Sequence, residues 1–237
     1  MVLARHQPTA FEPLDQLIAG LPTPAPTAVR LHQRGEMRLK PHGRWLAWTG
    51  TEDMAVDRVA FAWRARFRLP LGVRLHVEDA FDGDGGRLTG KLWGRVPLFE
   101  KRGPGFDGPE AMRYLAELPW VPFALADNDE VELERVSERV LRASTRVGPE
   151  RVAVDLTFDE RGRVTESFAP SRLHESGQSF PWRGRFWDHA EVNGVCVPRR
   201  GAVAWERPEG AFVYWRGEVL SVDLLAGGPT LAERYAL

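Results

Sequence analysis

The chain has 237 residues, a formal net charge of −1 and a single cysteine, Cys196. That length suits one all-β domain whose core needs no disulfide or metal staple, and a lone cysteine, which excludes an internal disulfide, fits a reducing compartment. The near-zero charge supplies no global field for nucleic acid or an anionic membrane. The N-terminal stretch carries no continuous apolar run, and no segment approaches the ~18 apolar residues of a membrane-spanning helix. The expectation is a soluble, cytoplasmic protein with no transmembrane segment and no nucleic-acid partner.

In chain order, residues 9–19 place Phe11, Leu14, Leu17 and Ile18 at helical spacing with Gly20 as a stop, which predicts a short N-terminal helix. The proline-rich stretch after it is extended. Residues 1–34 are therefore read as helix and lead-in, and residues 35–237 as a single domain. From Gly35 the apolar period is two, with strand candidates at 35–40 and 43–51. Residues 59–69 form the plainest strand: Phe61, Trp63, Ala65 and Phe67 face a core, while Arg64, Arg66 and Arg68 face water or partners. Residues 73–81 and 87–96 follow as a hairpin across the Asp–Gly-rich turn at 82–86.

Residues 107–126 break this pattern. Asp107 suits a helix N-cap, Pro109 its first turn, and Glu110 its positive end. Met112, Leu115, Ala116 and Leu118 share one face; Glu110, Arg113, Tyr114 and Glu117 share the other. Pro119 and Pro122 end the helix. Strands resume at 130–136, 140–147, 151–159 and 163–169; residues 170–184 read as loop by composition. Short strands then follow at 185–191, 195–199, 202–206, 211–215 and 218–225, with a frayed helical turn at 231–237.

The motifs that would announce a chemistry fail on inspection. Residues 85–91 approximate a phosphate-binding loop, but Leu92 stands where a magnesium-binding Ser or Thr belongs and strand-like residues follow where a helix is needed. A calcium loop starting at Asp82 lacks its closing glutamate, since Trp93 occupies that position. The six histidines show no metal-ligand spacing with one another or with Cys196, so no metal and no cofactor are expected. No nucleophile elbow is present.

A polar constellation remains. Arg113 and Glu117 lie one helical turn apart, which fits either a solvated ion pair of ~0.3–0.5 kcal/mol or a polar edge that orients a ligand's head group in a cavity under the helix. Arg172 and His174 sit in the loop-like stretch, beside Glu175. The ligand-binding candidates are Arg113, Tyr114, Glu117, Trp120, Arg172 and His174; Glu117, Arg172 and His174 are the catalytic candidates. Nine tryptophans are too many for a strictly alternating core, so some should line a groove or cavity.

The stretch RYLAELPWVPFAL at 113–125 resembles a family of uncharacterised bacterial proteins marked by an R-x-L-A-E-x-x-x-x-P helix. The resemblance continues through VDLTFDERGRV at 154–164, PWRGRFWDHAEVNGVCVP at 181–198 and AVAWERPEGAFVYWRGEV at 202–219. The strand order and the NGVCVP turn at 193–198 are also similar to the bacterial lipoprotein-localisation factors, which implies an incomplete β-barrel closed by helices over an apolar cavity. The fold expected is mainly β: a single curved antiparallel sheet or incomplete β-barrel wrapped around one central helix, with a short N-terminal helix. Three functions stay open. The first is a non-enzymatic carrier or sensor of an apolar or lipid-like ligand held between helix and sheet. The second is an enzyme acting on a small polar substrate at Glu117, Arg172 and His174, and the third is a structural or partner-binding protein.

Overall fold

The computed structural model describes residues 11–83 and 85–226. After α1 (Glu12–Ala19) come β1 (Ala28–Met37), β2 (Leu46–Ala55), β3 (Phe61–Arg68), β4 (Arg74–Phe81), β5 (Gly86–Leu92) and β6 (Val96–Arg102). A helical segment follows, with α2 (Pro104–Ala116), a 3-10 turn (Leu118–Trp120) and α3 (Ala124–Asp127). The chain then continues through β7 (Glu132–Arg135), β8 (Val140–Val147), β9 (Glu150–Phe158), β10 (Val164–Leu173), β11 (Ser179–Val192), β12 (Val195–Arg207) and β13 (Gly210–Leu225).

All thirteen strands form one sheet in the order β6-β5-β4-β3-β2-β1-β13-β12-β11-β10-β9-β8-β7. Each neighbouring pair is antiparallel, and β1 meets β13 from Ala28 opposite Leu225 to Met37 opposite Trp215. The sheet edges, β6 and β7, are thus consecutive in the chain and joined by the helical segment. Helix α2 touches β4, β5 and β6 on one side and β8, β9 and β10 on the other. The sheet must therefore curl until its two edges flank the helix, which is the half-barrel expected from the sequence.

Alternation assigns the two faces. On β3, Phe61, Trp63, Ala65 and Phe67 point inward and are buried. Outward, an ion ladder runs across five strands: Arg30 to Asp53 at 2.6 Å, Arg64 to Asp53 at 3.5 Å, Arg64 to Glu78 at 2.9 Å, and Arg87 to Glu78. Inward glycines leave room for rings: a Cβ at Gly217 would lie 2.5 Å from Trp215, and one at Gly201 would lie 3.0 Å from Trp120. Helix α1 packs at the β9–β10 turn, with Phe11 edge-on to Phe158 at 5.3 Å.

Several local expectations are corrected. Strand β1 begins at Ala28, inside the stretch read as lead-in, and is the strand that joins the two halves of the sheet. Its inward positions include Gln33 and Gly35, which hide the apolar period. Helix α2 begins at Pro104 with Gly103 (φ 117°) as its N-cap. Asp107 instead uses Oδ1 to accept the Gly86 N–H at 2.7 Å. The stretch 170–184 is largely strand, leaving only 174–178 as a turn. The five short C-terminal strands are three long ones, β11, β12 and β13. Their period is interrupted by a shift between Val203 and Ala204 that leaves Tyr214 without a register partner on β12, and by one that leaves out Leu220 opposite His32 and Gln33. The expected turn at 231–237 and the first residues of the expected N-terminal helix lie outside the described residues.

Candidate functional site: a covered aromatic trough

The concave face is an aromatic trough, and α2 with the turns after it lies in it. Register places Glu52, Trp63 and Asp79 side by side on β2, β3 and β4. Arg113 descends from α2 onto this row. Its guanidinium lies 4.7 Å from the Phe61 ring centre and 5.3 Å from that of Trp63. It donates to Glu117 Oε1 at 3.0 Å, Asp79 Oδ2 at 2.6 Å and Glu52 Oε1 at 2.9 Å. This is the fork geometry that suits arginine rather than lysine.

A second guanidinium holds the other half of the helix. Arg172, on β10, donates to the Pro109 carbonyl at 3.2 and 3.0 Å, lies 3.5 Å from Glu110 and stacks 4.4 Å from the Trp182 ring centre. Its bond to Pro109 satisfies a backbone acceptor inside the helix, and the indole beneath fixes its plane.

Two guanidiniums face four carboxyls, Glu52, Asp79, Glu110 and Glu117, so protons must make up part of the balance. Burial pushes Glu52 well up, helped by the charge of Glu117 and opposed by Arg113. Burial likewise raises Asp79 against the pull of Arg113, and raises Glu110 with the repulsion of Asp79 added. Asp79 Oδ1, Glu110 Oε2 and Glu117 Oε2 are buried without a hydrogen-bond partner. Against the cost of its own burial, the surrounding carboxyls hold Arg113 firmly protonated.

Each residue singled out in the sequence can now be placed. Arg113 and Glu117 are joined as expected, but inside the trough and not in solvent. Tyr114 does not share their face. It is fully buried, donating to the Ala55 carbonyl at 2.7 Å and accepting from the Asn128 amide at 2.9 Å. Met112, assigned to the apolar face, is only partly buried. Trp120 is buried in the cover, with Nε1 donating to the Pro198 carbonyl at 2.8 Å and its ring 5.2 Å from Phe186 and 6.0 Å from Trp215. His174 stands at the mouth, edge-on to Trp205 at 5.0 Å. No hydrogen bond joins Glu117, Arg172 and His174: Glu117 is held by Arg113 at the C-terminal end of α2, Arg172 by its N-terminal half, and His174 by Ser176 and Arg207.

Glu52 and Asp79 were missed. Each sits at the inward parity of its strand, in line with Trp48 and Met54 or with Val77 and Phe81, and an acidic residue at an apolar position was the available signal. Among the described residues no group of His, Cys, Asp or Glu is arranged to hold a metal ion, and no helix is long and apolar enough to cross a membrane.

Residues 18–224 match a family described as "Family of unknown function (DUF6920)". The chain belongs to this family. No curated protein matches this DUF6920 chain. Among solved structures it is similar to a DUF1329 family protein from Desulfovibrio piger, with a TM-score of 0.52 and 10% identity over 97% of this chain and 98% of that one. It is also similar to a LolA superfamily protein from Nitrosomonas europaea (TM-score 0.44, 11% identity, 94% and 96% coverage). A third likeness is to a Vibrio parahaemolyticus domain described as an outer membrane lipoprotein-sorting protein (TM-score 0.48, 8% identity, 94% of each chain). At these identities the likeness to the DUF1329 protein shows the fold alone. The resemblance read from the sequence to a family without an assigned activity agrees with the family match.

Proposed function

We propose that this DUF6920 protein is a non-enzymatic carrier or sensor of an apolar or lipid-like ligand, which occupies the trough when α2 and α3 move off it. The observation that carries this reading is the set of polar atoms left without hydrogen-bond partners on the trough wall. Trp48 Nε1, Trp63 Nε1 and Ser167 Oγ are all buried and unpaired, whereas a permanently packed interior pairs nearly all such groups. Support also comes from the position of the cover. It is one mid-chain segment between two sheet edges, so it can be displaced without unpairing any strand.

The test is a lock. A Cβ at position 108 would lie 3.6 Å from Val152 Cγ1, so Gly108→Cys with Val152→Cys, in a Cys196→Ser background, brings two thiols within disulfide range and ties α2 to β9. The unlocked chain should bind dodecyl maltoside below its micellar concentration, with a shift in tryptophan emission and altered amide exchange over 104–127. The oxidised lock should abolish both, and reduction should restore them. Equal binding by locked and unlocked chains, or no binding of dodecyl amphiphiles by either, refutes the reading.

A further inference from the structure

We propose that the cleft at the trough mouth, between the turns at 174–178 and 208–209, binds the anionic head group of an amphiphile, a carboxylate or phosphate gripped by Arg207 and His174. This rests on the trough reading above and extends it from the apolar part of the ligand to its charged end. The cleft is lined by His174, Ser176, Gln178, Phe180, Arg207 and Glu209.

Among the described residues no carboxylate pairs with Arg207, the cation of this cleft, whose contact there is His174. His174 Nδ1 accepts the Ser176 backbone N–H at 3.1 Å, a group that can only donate. A neutral imidazole then carries its proton on Nε2. Yet Nε2 lies 3.1 Å from Nη2 of Arg207, which also only donates. The other tautomer lets Nδ1–H donate to Ser176 Oγ at 3.0 Å and Nε2 accept from Arg207, so that a neutral imidazole is the acceptor this guanidinium meets in the cleft. Arg207 Nε is buried with no partner at all. Neighbouring arginines differ: Arg172 is paired with Glu110, and Arg183 with Glu206 at 2.5 Å. An anionic oxygen seated between Arg207 and His174 gives the guanidinium a charged acceptor in place of the imidazole, and the tautomer whose Nδ1 accepts the Ser176 N–H then donates Nε2–H to the same oxygen.

The surroundings fit an amphiphile in preference to a free anion. The His174 ring meets Trp205 at 5.0 Å and Phe180 at 5.9 Å. Trp205 continues to Trp182, 6.4 Å away, whose ring lies under Arg172 beside α2. An apolar tail leaving the head-group site therefore runs directly into the trough. Burial, then the Arg207 charge, depresses His174 below an ordinary histidine, and a bound anion would reverse the second effect. Glu209, on the exposed rim, is the one lining group of opposing sign.

Calorimetric titration of the full chain with dodecanoate, dodecyl phosphate, dodecyl maltoside and inorganic phosphate tests this. The acidic dodecyl probes should bind about ten- to hundredfold more tightly than the maltoside, the size of one hydrogen bond to a charged group. Arg207→Gln should erase that difference while leaving maltoside binding unchanged, and Glu209→Gln should tighten the acidic probes alone. The tighter of the two acids identifies the head group as carboxylate or phosphate. If acidic and uncharged probes bind equally, the head-group site is refuted and the trough reading stands. Inorganic phosphate binding as tightly as dodecyl phosphate overturns the amphiphile assignment, and failure of every dodecyl probe overturns both. Should Arg207→Gln not fold, the Glu209→Gln response decides alone: an unchanged preference for acids refutes the site.

Discussion

Replacing Arg113 with methionine removes the cation that Glu52, Asp79 and Glu117 share, while keeping an unbranched chain over Phe61 and Trp63. Breaking a buried, hydrogen-bonded ion pair by deleting one partner costs about 3–5 kcal/mol, and at 2–4 °C per kcal/mol for a chain of this size the midpoint should fall by about 6–20 °C. The loss should depend on pH. Glu52, Asp79 and Glu110 have folded pKa values raised by burial, so their protonated forms favour the folded state. That contribution is complete below the ordinary carboxylate range near ~4 and is lost as pH rises through the raised folded values. Arg113 lowers all three, so without it those values climb further and the loss deepens on the alkaline side. Urea unfolding followed by tryptophan fluorescence should therefore show a larger deficit for Arg113→Met at pH 8 than at pH 5. Adding Glu52→Gln should recover part of the deficit at pH 8, because the amide needs no counter-charge. An identical deficit at both pH values, with no recovery from Glu52→Gln, would refute the role of Arg113 in restraining the raised carboxyls.

Tyr114→Phe strands the Ala55 carbonyl and the Asn128 amide and should lower stability by about 1–3 kcal/mol with an unchanged urea m-value; a neutral effect would mean that water reaches both groups. Gly201→Val places carbon atoms against the Trp120 ring, which is pinned by Pro198 and Phe186. It should cost about 1–3 kcal/mol in thermal denaturation, partly recovered by Trp120→Phe.

What could be read from the sequence was whatever strict alternation records. Strand β3, with rings on one side and arginines on the other, announces itself, and the R-x-L-A-E helix stands out because the period changes. Bulges erase that record: one extra residue, such as Tyr214 or Leu220, swaps the faces midway and makes a long strand read as two short ones. The fate of the polar edge of α2 could not be read locally, since its partners Glu52 and Asp79 arrive from strands far away in the chain. Each looks like an ordinary solvated acid unless its parity is checked. His174 drew notice as a loop residue, but Arg207 did not, because only the register of β10, β11 and β12 brings the two together.

The pairing of β1 with β13 has a kinetic consequence. The runs β1–β6 and β7–β13 are each meanders of adjacent hairpins, whose pairings close short loops and can form while the chain is still being synthesised. The β1–β13 seam spans nearly the whole sequence, from Ala28 to Leu225, so it must wait for the last strand to emerge. Until then β1 is a long bare edge, the kind of exposed ladder that invites a neighbouring chain. The slow, aggregation-sensitive step in making this protein is therefore assigned to a single ten-residue strand near its N-terminus.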